Sequence, residues 1–224
     1  MNISDRVFSD FVKHILSFEG GLSKDERDTA VKCAPFKGAY HTNKGVTYCT
    51  FKELATKLGI TNTYDKFISL NDNEVAKFIY YYYKEANGDK LPAKVGLSVT
   101  EAAWGSGKSR AIKNLQEALY NLKKLSKDDI DGSWGLDTEK AANSIDEKTL
   151  FNEFWKVRQK FIDSLTVQPK YAMYKKGWQN RINSFLNTFS LTNIKETVKK
   201  NTLSTILIIA IFGVIAYKLT TKKK

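Results

Sequence analysis

Val7, Phe8, Phe11, Val12, Ile15 and Leu16 recur at intervals of three and four residues, which places apolar side chains on one face of a helix. Ser4 or Asp5 can cap this stripe, and Gly20-Gly21 stops it, so Glu19 stands at the helix carboxyl end. The same periodicity predicts helices over 50–58, 72–86, 95–103, 111–123 and 150–165, with a shorter one over 137–143. Residues 22–45 are polar and irregular, with Pro35, Gly38 and Gly45, and read as a loop holding at most short strands. Val46, Tyr48 and Phe51 alternate with polar residues and fit either a brief strand or the start of the next helix.

The pattern therefore predicts a mainly α chain with a small loop and β region. Leu91-Pro92 is the expected seam between a first lobe, 1–90, and a second helical lobe, 91–190. Asp131-Gly132-Ser133-Trp134-Gly135 reads as a tight structural turn in the second lobe. Farther on, residues 203–217 are uncharged and apolar on every face, between lysine clusters. This segment is expected to form a single C-terminal transmembrane helix, 202–219, after a linker, 191–201, and before a basic tail, 220–224. Lysines on both sides leave its orientation open.

A formal charge of +12 favours anionic partners through attraction that salt weakens. Four of the lysines follow residue 200, so most of that charge belongs to the body of the chain. No zinc-finger spacing or aromatic-basic nucleic-acid motif accompanies it, and a polyanionic surface is expected as partner rather than nucleic acid. The two cysteines, Cys33 and Cys49, both fall in or beside the loop; they are read either as reduced thiols or as a bridge.

Glu19 carries the candidate chemistry. At a helix carboxyl end, beside Phe18, the partial negative charge of unsatisfied carbonyls and an apolar wall favour the protonated carboxyl that a general acid needs. Asp28 lies nine residues on, followed by Thr42, Asn43, Gly45 and Thr47. A glycosidase needs such an acid together with a second carboxylate or a positioned water. Aromatic faces also suit pyranose rings, and the run 80–83 of four tyrosines offers them, with Tyr81 as the candidate.

Phe18-Glu19-Gly20-Gly21, Asp25, Asp28 and Thr42-Asn43-Lys44-Gly45-Val46-Thr47 resemble the glycosyl hydrolase 108 family of peptidoglycan N-acetylmuramidases. Downstream, Gly88-Asp89-Lys90-Leu91-Pro92, Gly105-Ser106-Gly107, Leu115-Gln116, Arg158 and Phe161 resemble the peptidoglycan-binding domain that accompanies it. The resemblance covers about residues 8–186 and implies a lysozyme-like fold. It implies Glu19 as general acid, Asp28 as its partner and Thr42 as the water-positioning hydroxyl, with Asn43, Thr47 and Tyr81 on the substrate. No metal or cofactor is implied. The chain departs from the family by an insertion between Asp28 and Thr42, which puts Asp25 or a water forward as a substitute for Asp28. The resulting expectation is a membrane-anchored peptidoglycan hydrolase of a phage or virion, held in a viral membrane or the host inner membrane. A lytic transglycosylase and an inactive wall-binding protein are the alternatives.

Overall fold

The computed structural model describes residues 5–190, and over them the chain is mainly helical. Helix α1 (Asp5–Phe18) buries Phe11 and Ile15 from the predicted stripe. A short three-stranded antiparallel sheet follows, with β1 (Leu22–Ser23), β2 (Thr42–Asn43) and β3 (Val46–Thr47) in that spatial order. Helix α2 (Tyr48–Leu54) starts directly from β3, so both readings of residues 46–51 hold: a strand, then a helix entered at Thr47. The Thr47 hydroxyl caps α2 by accepting from the Thr50 N–H.

Helix α3 (Tyr64–Ile68) was too short to show a period. Helix α4 (Asp72–Glu85) begins at a reciprocal cap between Asn71 and Glu74. Phe51 lies between Phe67 and Phe78, with ring centroids 5.4 and 6.3 Å away, and joins α2, α3 and α4. Phe8 of α1 meets Tyr80 and Tyr83 of α4 edge-on.

Helix α5 (Ala93–Ser106) is the axle of the fold, buried continuously from Lys94 to Ala103. Its polar core residues are satisfied locally: Ser98 and Thr100 donate to the carbonyls of Lys94 and Gly96, each at 2.7 Å. Gly96 lets the segment before α5 approach closely, since a Cβ there would stand 2.2 Å from the Gly88 carbonyl oxygen. Around α5 pack α6 (Lys108–Asn121) and α8 (Glu147–Thr166), with Trp155 of α8 donating to the buried Ser98 hydroxyl at 2.9 Å. Helix α7 (Leu136–Asn143) follows the 131–135 turn, where Gln116 accepts from the Gly132 N–H and donates to Asp131 and the Ser133 carbonyl.

One compact unit extends to Lys175 and includes α9 (Pro169–Ala172). The second unit begins at Lys176, and its described part is nearly all of α10 (Lys175–Phe189), where the rings of Phe185 and Phe189 meet tilted with centroids 4.7 Å apart. The seam read at Leu91-Pro92 thus lies within the first unit, because α5 beyond it fills the core shared with α4. No helix among the described residues is long and apolar enough to cross a membrane. The expected membrane segment, 202–219, with its linker and tail, lies outside the described residues.

Cys33 and Cys49 form a disulfide, which settles the two readings of the pair. It joins a 3-10 helix (Thr29–Cys33) in the insertion to the first turn of α2. Closing a loop of this length restricts the unfolded chain, and the double replacement of both cysteines by serine should lower stability by about 3 kcal/mol. Urea unfolding monitored by circular dichroism, with wild type kept oxidised, measures that difference.

Candidate active site

Glu19 closes α1, its N–H donating to the Leu16 carbonyl at 3.2 Å, before Gly20-Gly21 turns the chain into β1. The carboxylate then meets two partners distant in sequence. Trp104, near the end of α5, donates its indole N–H to Glu19 Oε1 at 2.8 Å. Gly45 lies beneath the same group: a Cβ there would stand 2.6 Å from Oε2 and 2.8 Å from Cδ. Glycine is required here twice over, by that lack of space and by a φ of +79°, while Lys44 before it also has a positive φ of +47°. These positive angles make the two-residue turn of the β2–β3 hairpin a primed turn.

Arg158 ties down the last turn of α5, which carries Trp104. Buried on α8, it donates to the Ser106 hydroxyl at 2.9 Å, two residues beyond Trp104. The motif residues Gly105-Ser106 and Arg158, far apart in sequence, therefore meet where α5 presents its indole.

The hairpin arranges the remaining candidates. Ser23 pairs with Thr42, and Thr42 with Thr47, so three hydroxyl residues line up across one face of the sheet. The row continues to Thr50, whose hydroxyl is 3.1 Å from that of Thr47. Asn43 and Val46 occupy the opposite, core-facing side. Asn43 is only 3% exposed, and its amide donates to the Phe67 and Ile68 carbonyls at 2.8 and 3.3 Å. This is a correction to the substrate-contact reading: the side chain anchors the hairpin to α3 and does not face a groove.

Asp28 is exposed at the amino end of the 3-10 helix, its Oδ1 accepting from the Ala30 N–H at 2.9 Å. Asp25, the substitute, is engaged more fully. Its two oxygens take the Arg27 guanidinium at 2.6 to 3.2 Å and one also takes the Arg27 N–H. That guanidinium, helped by the backbone N–H, holds the Asp25 carboxyl at a pKa of about 2, which makes it a poor proton acceptor. Asp28 carries no such ion pair among the described residues.

Beyond Trp104, Tyr82 meets the indole edge-on at 5.3 Å and then lines a cavity of about 220 Å³ with Tyr81, Thr50, Glu53, Glu85 and Lys108. Tyr81 carries the Lys57 ammonium 4.7 Å above its ring. The acid, the hydroxyl row and the aromatic cavity are thus joined contact by contact. Trp104 and the seat at Gly45 were missed because they arise from pairings 85 and 26 residues apart along the chain, and Tyr82 stood out only as one of four tyrosines; the signal available for Trp104 was a donor-only indole followed by Gly105-Ser106-Gly107.

Residues 12–107 match the family model described as glycosyl hydrolase 108. Among solved structures, SagA of Brucella abortus is similar with a TM-score of 0.60 and 24% identity, covering 84% of this chain and 98% of that one. No curated protein matches. The matched family region spans Glu19, the hairpin, both tyrosines and Trp104, and the chain is a glycoside hydrolase.

Gly45→Ala should push the Glu19 carboxylate from its seat and lower kcat/KM on a glycan substrate by about 100-fold. Trp104→Phe keeps the ring against Tyr82 but removes the N–H donor, and should lower kcat by about 10-fold with little change in melting temperature. Steady-state turbidity assays on purified cell walls, beside thermal unfolding, measure both.

Proposed function

We propose that the chain is a peptidoglycan N-acetylmuramidase that hydrolyses the β-1,4 bond between N-acetylmuramic acid and N-acetylglucosamine. The observation carrying this reading is the seat of Glu19 between Trp104 and Gly45. An indole N–H can only donate, so Oε1 is committed as acceptor and the transferable proton belongs on Oε2. Glu19 would give that proton to the departing O4 of N-acetylglucosamine.

Water then attacks C1 of N-acetylmuramic acid and loses its proton to Asp28, whose Oδ1 is held by Ala30 while its other oxygen faces outward. Thr42 positions this water. Tyr81 and Tyr82 would stack against neighbouring sugar rings in their cavity. Thr47, committed to its helix cap, serves through the hydroxyl row.

The body's positive charge suits the acidic peptides and polymers of a cell wall. The apolar segment 203–217 supports attachment to a membrane, and with it a phage or virion enzyme acting during wall penetration or lysis.

Mass spectrometry of muropeptides released from purified sacculi should show reducing N-acetylmuramic acid ends, and Glu19→Gln should release almost none. Anhydro-muramic ends would instead indicate a transglycosylase, and equal release by wild type and variant would remove Glu19 from the chemistry. For the membrane attachment, the full chain should stay in the pellet through a carbonate wash and leave it only in detergent.

A further inference from the structure

His41 belongs to no role assigned so far, although it precedes the water-positioning residue and is completely buried. Its backbone is fixed on both sides: the N–H donates to the Ser23 carbonyl at 3.0 Å, and the carbonyl accepts from the Tyr48 N–H at 2.8 Å. Its ring spans two oxygens. Nε2 lies 3.2 Å from the Asp25 carbonyl and Nδ1 lies 3.1 Å from the Thr42 hydroxyl.

We infer that His41 is a positioning residue that fixes the direction of the Thr42 hydroxyl, and through it the orientation of the attacking water. This rests on the hydrolytic reading above. A carbonyl oxygen cannot donate, so Nε2 must carry the ring hydrogen. In the neutral ring Nδ1 is then a bare acceptor, and the Thr42 hydroxyl gives it its one proton. The Thr42 hydroxyl has no other hydrogen-bond partner among the described residues, so toward substrate its oxygen offers lone pairs only.

The consequence is directional. A water giving one O–H to Thr42 and the other to Asp28 turns a lone pair toward the anomeric carbon. A hydroxyl free to rotate could donate to that water instead, occupying the lone pair needed for attack. His41 therefore selects between two orientations of one O–H bond without touching the sugar.

Three measurements test this. His41→Leu should lower kcat about 50-fold with KM within twofold of wild type, whereas His41→Asn, which can offer a carbonyl oxygen near the Nδ1 position, should recover to within about fivefold. In a Thr42→Val background His41→Leu should add no further loss, since the two act as one unit. Losses that multiply, or full turnover by His41→Leu, would overturn the inference and leave His41 a packing residue. If His41→Leu does not fold, nitrogen-15 spectra of the wild-type ring decide: Nε2 protonated with Nδ1 bare is expected, and a hydrogen on Nδ1 overturns it. Wild type that releases no muropeptides would defeat the hydrolytic reading itself, an outcome distinct from a wrong ring tautomer.

Discussion

One hydrogen bond, from the Trp104 indole to the Glu19 carboxylate, organises the first unit of this chain. It joins the end of the first helix to the end of the central one, with the hairpin turn held between them. A bulkier residue at 45 would keep the carboxylate from its seat, and a displaced α5 would withdraw the donor. The surrounding structure serves these two conditions. Arg158 and Ser106 hold the last turn of α5, Asn43 fixes the hairpin to α3, and the close approach at Gly96 sets the depth at which α5 lies.

Candidate site residues on short strands and loops need such support, because strands of two residues contribute few hydrogen bonds of their own. The disulfide does for the insertion what Asn43 does for the hairpin. It links the segment bearing Asp28 to the helix capped by Thr47, so Asp28 is referenced to the same frame as the hydroxyl row. Asp25, two residues after Ser23, is ion-paired with Arg27.

Much of the helical framework was legible in the sequence because burial on one face leaves a period. The stripe ending at Leu16, the capped start of α4 and the runs of α6 and α8 lie close to their predicted places. Helix α3 escaped because five residues cannot display a period, and α5 was underestimated in role because a helix buried all round loses its polar face. The Leu91-Pro92 break marked a real bend but no separation, since a proline reports local backbone and not what packs across it. Glu19, Asp28 and Thr42 were readable as residue types at a spacing. Asn43 was misread because its amide acts on carbonyls 24 and 25 positions away, and Trp104 and His41 work through partners that only folding brings near.

The contact between Gly88 and Gly96 carries the site's dependence into the interior. A central rod clasped on every side can neither slide nor rotate on its own, so the donor at its tip inherits its coordinates from packing some two turns away. Any requirement on the Glu19 seat is thereby transmitted to a glycine buried in the interior, and the boundary between scaffold and site in this molecule runs through its core rather than around its surface.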